Sequence, residues 1–153
     1  MKVDSKKNNP DYEKYPVGSL ERLIHGCWQL GIFRFHAFYQ EWDNGLQVRC
    51  DSINHTLGVR TVRVDLLAFE EDYRRTSQVM DIIRSHDSST WIWFVNCEAL
   101  LDSSLAGWLR SLLTTYSVEH VRVAFLLDNR QQYRQIFQRA SAPFYQSTIL
   151  LKL

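Results

Sequence analysis

The sequence predicts a single α/β domain built on a mixed β-sheet, and three features lead to that prediction. Residues 91–95 form a dense apolar run that is short enough for one buried strand. From Leu105 onward, apolar side chains recur at three and four residues, which is the spacing of one helix face. Between about residues 61 and 140, strand-like and helix-like segments alternate three times, an order typical of parallel strands joined by right-handed crossovers.

The length of the chain fits one domain with a polar arm. A chain of 153 residues can bury roughly two thirds of the surface that it exposes when unfolded, so its core needs no disulfide or metal. Residues 1–16 are polar, contain two prolines and show no apolar period, and we expect them to form a flexible N-terminal arm. Residues 17–153 would then form the domain.

Composition and charge argue against several classes of function. A formal net charge of +1 argues against strong attraction to nucleic acid or an acidic membrane. The three cysteines are widely spaced and the five histidines never fall at ligand spacing, so we expect no metal centre. The glycines form no phosphate loop, and we expect no cofactor. The absence of a signal-peptide pattern and of a long apolar run predicts a cytoplasmic protein.

The first half of the domain carries signals for a helix and then for strands. Ser19 predicts the start of a short helix and Gly31 its end. Residues 32–53 alternate between apolar and polar side chains on both sides of Asn44 and Gly45, a pair favoured in two-residue turns. We therefore predict an antiparallel hairpin here, followed by a third strand from about residue 59.

The second half alternates between helices and strands. The acidic residues 70–72 predict the first turn of a helix. A strand over residues 120–127 ends at Asp128 and Asn129, which would cap a helix that Pro143 would close. Residues 147–153 predict a short strand at a sheet edge. The helix that follows the apolar run has a stripe made of Leu105, Trp108, Leu109, Leu112, Leu113 and Tyr116.

Polar residues join the apolar run to this helix and are the first candidate site. Asp102, Ser103 and Ser104 can each accept hydrogen bonds from the free amides of a new helix. A hydroxyl group at a helix N-terminus also lies where the helix dipole favours a phosphate. Two interpretations therefore stay open: the triplet only caps the helix, or Ser104 is a phosphorylation switch on a docking surface.

The same residues resemble the STAS domain, which occurs in anti-sigma factor antagonists and in the cytoplasmic part of sulfate transporters. The family pattern is Asp-Ser-Ser or Asp-Ser-Thr followed by Gly-Leu-Gly, and it is matched by Asp102, Ser103, Ser104 and Gly107. Leu105 and Ala106 stand where the family has Gly and Leu. The resemblance implies a STAS-like fold and a non-enzymatic regulatory module that binds another protein, such as a kinase or an anti-sigma-like factor. It also implies that a partner kinase phosphorylates Ser104.

A second hypothesis is a metal-dependent enzyme. Asp65, Asp102 and Asp128 lie near the ends of three predicted strands. Carboxylates gathered at one sheet edge can hold Mg²⁺ for phosphoryl transfer or nuclease chemistry. The competing interpretation is that Asp102 and Asp128 cap helices, while Asp65 only precedes a loop or helix.

Two further surfaces are candidates for contact with a partner. The last predicted helix has a basic side, formed by Arg130, Arg134 and Arg139. This side suits an acidic partner or a phosphate, although a solvated face would have the same composition. If helices cover only one face of the sheet, we expect exposed aromatic residues on the other face, among Phe38, Trp42, Trp91 and Trp93, and these would suggest a protein interface. Self-association through the hairpin, giving a homodimer, is a further possibility.

Overall fold

A parallel five-stranded sheet forms the centre of the computed structural model, which describes residues 19–69, 78–85, 88–115, 119–144 and 147–151. The strands are β1 (Arg34–Phe38), β2 (Arg60–Asp65), β3 (Thr90–Val95), β4 (Val121–Leu127) and β5 (Ile149–Leu150). Their order across the sheet is β2-β3-β4-β1-β5, and every neighbouring pair is parallel. The predicted α/β class is therefore confirmed, whereas the predicted mixed sheet is wrong within the described residues.

Helices cover both faces of this sheet. Six α-helical segments occur in the described residues: α1 (Leu20–Leu30), α2 (Tyr39–Glu41), α3 (Gln47–Thr56), α4 (Gln78–Arg84), α5 (Ser103–Thr115) and α6 (Arg130–Tyr133). A segment at Trp42–Leu46 joins α2 to α3 across a kink at Gly45, a π-helical turn at Arg134–Gln138 continues α6, and 3-10 helices occur at Leu66–Phe69 and Cys97–Leu101. The buried side chains of α1 and α3 pack on one face of the sheet, and those of α4 and α5 pack on the other.

The direction of each crossover explains this arrangement. The connections from β2 to β3, from β3 to β4 and from β4 to β5 all advance across the sheet in the same direction. The connection from β1 to β2 runs in the opposite direction. Because parallel crossovers are right-handed, connections that run in opposite directions place their helices on opposite faces. Three layers result, and the sheet is buried between two helical ones.

Covered faces correct the prediction of exposed aromatic residues. Trp91 and Trp93 belong to β3 and are only 0% and 2% exposed, because α1 and α3 pack over them. Their rings lie 5.8 Å apart, and Trp91 also stacks on Phe35 of β1 with ring centroids 5.3 Å apart. Trp91 and Trp93 are therefore core residues, whereas Phe38 and Trp42 are partly buried against the two sides of the core.

The antiparallel hairpin predicted over residues 32–53 is wrong. β1 is parallel to both of its neighbours, and the chain from Tyr39 to Thr56 is helical. Gly45 has the positive φ of +93° that an Asn-Gly pair suggests. That backbone conformation lies at a kink between two helical segments instead of in a two-residue turn. Self-association through a hairpin therefore has no structural basis here.

A helical spacing was present in the segment predicted as the second hairpin strand. Leu46, Cys50, Asn54 and Leu57 are buried and recur at intervals of four, four and three residues. Val48, which strict alternation would place with Leu46 and Cys50, is 66% exposed. The buried stripe identifies this segment as helix α3, with its apolar side against the sheet.

Several local predictions are confirmed. Ser19 caps α1, since its side chain accepts a hydrogen bond from the Arg22 amide at 3.3 Å, and Gly31 ends the helix with a φ of +69°. Of the two predicted capping residues, Asn129 caps α6 by accepting from the Gln132 amide at 2.9 Å. The helical segment ends at Gln138, so Pro143 does not close it as predicted. β3 is buried along its whole length inside the sheet, and β5 lies at an edge. The predicted arm and the predicted helix start at residues 70–72 lie outside the described residues.

A buried arginine connects α1 to the sheet. Arg122 of β4 is 2% exposed, and its guanidinium donates two hydrogen bonds to the Cys27 carbonyl at the end of α1, at 3.2 and 3.3 Å. It also donates to the carbonyls of Glu119 and Val121 at 2.9 and 3.0 Å. The rings of Trp28 and Phe33 each lie 4.4 Å from the guanidinium carbon. Carbonyl oxygens and ring faces thus replace the water that a cation loses on burial.

Replacing this cation should weaken the whole domain. We expect Arg122→Met to lower the free energy of unfolding by about 2 kcal/mol, because the substitution removes four hydrogen bonds that the guanidinium donates to backbone carbonyls. Urea unfolding followed by circular dichroism measures this change. Arg110→Met, at an exposed arginine of α5, is the control and should unfold at the wild-type midpoint. Equal midpoints for the two variants would contradict the assigned role.

Candidate functional site

The Asp-Ser-Ser triplet lies at the start of α5, after a 3-10 helix. The sequence predicts that the buried strand turns directly into this helix at the triplet. That prediction is wrong, because Cys97–Leu101 forms a 3-10 helix between β3 and α5. The Asp102 Oδ1 atom accepts hydrogen bonds from the amides of Ser104 and Leu105, at 2.9 and 3.4 Å. Asp102 therefore caps the helix through its side chain, and this occupies two of the amides that the helix leaves free.

The serine side chains and Gly107 occupy the first turns of α5. Ser103 and Ser104 are exposed, whereas Leu105 and Ala106 directly after them are buried in the core. A Cβ atom added at Gly107 would meet no atom within 4 Å, so packing does not require a glycine at this position. The helix thus presents its two hydroxyl groups to solvent while its next two residues fix it to the sheet.

A groove brings the triplet close to one of the predicted basic residues. The groove lies between the start of α5 and the segment that follows α6, and its walls include Leu101, Ser103 and Arg139. The Leu101 side chain is 51% exposed. We call residues 101–107 together with Arg139 the α5 corner. The triplet and Arg139 are separate candidates in the sequence, and the fold places Ser103 of the triplet in one groove with Arg139.

The predicted basic face divides between two grooves. Arg139 belongs to the α5 corner, whereas Arg130 and Arg134 line a second groove beside β1 and β5. The division arises because Arg130 and Arg134 are four residues apart on one helical side, while the backbone of Arg139 has left the helix with a ψ of 127°. One continuous basic surface is therefore absent from this part of the chain.

Residues that sequence analysis did not select form the inner wall of the second groove. His36 of β1 is 5% exposed, its Nδ1 atom lies 2.9 Å from the Thr148 Oγ1 atom, and its ring stacks on Tyr133 with centroids 4.4 Å apart. Burial lowers the pKa of His36 to about 4, so the ring is neutral at physiological pH. The local sequence carries no signal for this cluster, since 112 positions separate His36 from Thr148.

The three aspartates of the metal hypothesis each form hydrogen bonds in a different loop or turn. The Asp65 Oδ1 atom accepts from the Asn96 side chain at 2.8 Å and from the Leu67 amide at 2.9 Å. Asp128 accepts from the Gln132 side chain at 3.3 Å. Because β3 separates β2 from β4, Asp65 and Asp128 follow strands that are about 10 Å apart. Within the described ranges, no three His, Cys, Asp or Glu side chains are grouped as they would be to hold a metal ion.

The cysteines are buried thiols. Cys27, Cys50 and Cys97 are at most 1% exposed, and desolvation raises the pKa of each, that of Cys27 to about 12. A thiol with a raised pKa is protonated at neutral pH and is a poor nucleophile. The Cys97 side chain donates to the Phe94 carbonyl at 3.4 Å, which fits a packing role.

Comparison with known proteins identifies no relative of this chain. No protein-family model matches the sequence, and no curated protein shows significant similarity to it. The resemblance to STAS domains therefore rests on residues 102–107 and on the order of elements, and it stays a hypothesis. In the part of the chain that the structure describes, no helix combines the length and the apolarity needed to cross a bilayer.

The capping role of Asp102 predicts a measurable loss of stability. We expect Asp102→Ala to lower the free energy of unfolding by about 1 kcal/mol, because the amides of Ser104 and Leu105 lose their acceptor. Asp102→Asn keeps a side-chain oxygen at the same place and should retain most of the stability. Urea unfolding of the three proteins tests this, and an Ala variant as stable as the wild type would contradict the capping role.

The neutral His36 predicts a pH-dependent stability. Its pKa in the folded chain is about 4 and its ordinary value is 6.5, so between these pH values the unfolded chain binds a proton that the folded chain does not. The contribution of the neutral His36 to the free energy of unfolding is therefore complete above pH 6.5 and is lost as the pH falls toward 4. Relative to His36→Phe, the wild type should lose about 2 kcal/mol of unfolding free energy between pH 8 and pH 5.

A matched histidine provides the control for this measurement. His55 lies exposed on α3, and His55→Phe is the control for the loss of a histidine outside the groove. Urea unfolding at several pH values and constant salt gives the three curves. Parallel curves for the wild type and His36→Phe would show that His36 is not held in its neutral form by the fold.

Proposed function

We propose that this protein is a non-enzymatic regulatory module that binds another protein through the α5 corner, and that phosphorylation of Ser104 controls this binding. One observation carries the proposal: two adjacent serine side chains are exposed at the start of a 13-residue helix, and the first of them lines a groove together with Leu101 and Arg139. Exposed hydroxyl groups in a first helical turn are accessible to a kinase, and the helix dipole favours the added phosphate.

A phosphate at Ser104 would change the surface without disturbing the core. It would add between about one and a half and two negative charges at neutral pH, close to the Asp102 carboxylate that already accepts from the Ser104 amide. Like charges repel, so the local potential would become strongly negative. Leu105 and Ala106 remain packed against the sheet in either state, because their side chains point away from the serines.

Apolar side chains beside the serines favour a protein as the partner. Leu101 is 51% exposed, and Leu67, on the 3-10 helix that contacts the one carrying Leu101, is 38% exposed. Small apolar areas bordered by polar groups are typical of interfaces that form and dissociate. Arg139 gives the far side of the groove a positive charge that suits a phosphate or an acidic side chain.

The resemblance to STAS domains supports the same role for these residues. Asp102, Ser103, Ser104 and Gly107 match the family pattern, in which the second hydroxyl residue is the one that a kinase modifies. Leu105 departs from the family glycine, and here it is 0% exposed and belongs to the core. The substitution thus lies on the inner side of the helix, away from the surface that a partner would contact.

The alternative function, a metal-dependent phosphoryl-transfer or nuclease enzyme, has less support. It requires carboxylates that converge on one ion, whereas Asp65 and Asp102 each bind nearby amides. Asp128 follows a different strand and binds a glutamine. Nothing in the described residues favours this hypothesis over the docking module.

The proposal predicts that charge at Ser104 changes partner binding. Immobilised wild-type protein and Ser104→Asp are used to capture proteins from the native host, and each captured protein is quantified by mass spectrometry. We expect the captured amount of at least one partner to differ about tenfold between the two proteins, equivalent to about 1.4 kcal/mol in binding free energy. Phosphate mapping of the protein isolated from its host should place a phosphate on Ser104.

Ser111 provides a matched control on the same helix. It is exposed on α5, two helical turns beyond Ser104 and outside the α5 corner, so Ser111→Asp adds the same charge elsewhere. Its capture profile should equal that of the wild type. Identical profiles for the wild type and Ser104→Asp, or equal effects of both aspartates, would contradict the proposed switch.

A further inference from the structure

A second groove opens on the opposite side of the last helix. It lies between β1 and β5 on one side and α6 with its π-helical continuation on the other, and we call it the α6 groove. The residues that matter for its chemistry are His36, Phe38, Arg130, Tyr133, Arg134 and Thr148. Its volume of about 540 Å³ lies in the range that small-molecule sites occupy.

The topology of the sheet gives this groove a special position. The connection that leaves β1 crosses to the α3 face, whereas the connection that leaves the neighbouring β4 crosses to the α5 face. A crevice therefore opens between the carboxyl ends of these two strands, and ligands of open α/β sheets bind at such a point. Phe38 ends β1 and Arg130 follows β4 by three residues, so the groove begins at this crevice.

The groove carries positive charge that is well placed for an anion. Arg130 and Arg134 are four residues apart on one helical side, both are exposed, and both line the groove. None of the described residues that line it is acidic. A guanidinium group can donate two parallel hydrogen bonds to a phosphate, and two such groups can hold one phosphate or neighbouring phosphates.

Aromatic rings form the inner wall of the groove. Tyr133 stacks on His36 with ring centroids 4.4 Å apart. The Phe38 ring lies edge-on to both, with its centroid 5.8 Å from that of His36 and 6.4 Å from that of Tyr133. The hydrogen bond between His36 and Thr148 fixes the imidazole in place. Phe38 and Tyr133 are only partly buried, so their rings offer apolar surface to a flat ligand.

We propose that the α6 groove binds a small phosphorylated molecule with a flat ring, of the nucleotide class. Arg130 and Arg134 contact its phosphate groups, and Phe38 and Tyr133 pack against its ring. The site is separate from the α5 corner, so this proposal does not depend on the switch at Ser104. A peptide strand added to β5 is a less suitable occupant, because β5 offers only two residues for pairing.

Calorimetric titration of the full chain tests the proposal. Ligands are adenosine and guanosine mono-, di- and triphosphates, the two unphosphorylated nucleosides, inorganic phosphate and an acidic peptide. We expect at least one nucleotide to bind with a Kd below about 1 mM, and its nucleoside and inorganic phosphate to bind at least about tenfold more weakly. Failure of every nucleotide to bind, or equal affinity for inorganic phosphate or the peptide, would overturn the proposal.

Variants assign the binding to this groove. The double variant Arg130→Gln with Arg134→Gln should weaken nucleotide binding at least about tenfold, and Phe38→Leu should weaken it about threefold or more. Arg110→Gln, at an exposed arginine of α5, should bind like the wild type. The urea midpoints of all variants are measured so that a folding defect is recognised. Wild-type affinity in a folded double variant would overturn the site.

Discussion

The right-handedness of parallel β-α-β connections determines where the crossover helices of this protein lie. Three connections run across the sheet in one direction and one runs in the other, so helices must cover both faces. The same constraint produces the crevice between β1 and β4, because their outgoing connections leave toward opposite faces. The handedness of the connections therefore explains both why helices cover each face of the sheet and where the α6 groove lies.

Helix α1 is the exception, since it precedes the first strand and no crossover fixes its place. Its apolar side, with Leu20, Ile24 and Cys27, packs on the sheet. The Arg122 guanidinium then binds the carbonyl at the end of that side, where the helix dipole is negative. Packing thus holds α1 on one face of the sheet, and the hydrogen bonds of Arg122 fix the position of the helix along that face.

Local patterns predicted those parts of the fold that local interactions determine. The helix caps at Ser19 and Asn129 and the buried strand β3 follow from short-range signals in the sequence. Residues 46–50 misled the prediction, because Leu46, Val48 and Cys50 satisfy strand alternation over five residues, while helical spacing becomes visible only at Leu57. The Asp102 cap was predictable, because it depends on amides only two and three residues away. The sequence did not predict that Ser103 lies near Arg139 or that His36 contacts Thr148, because both contacts depend on the tertiary fold.

The polar attachments of α1 respond differently to dissolved ions. Arg49 of α3 and Glu21 of α1 form an ion pair at the surface, with 47% and 25% of their side chains exposed, so mobile ions reach and weaken it. Arg122 is enclosed by protein, and its acceptors are uncharged carbonyl groups. Concentrated salt consequently weakens the ion pair between α1 and α3. The hydrogen bond from the Trp28 indole of α1 to the Asn54 side chain of α3, at 3.0 Å, and the anchor of α1 to the sheet keep most of their strength.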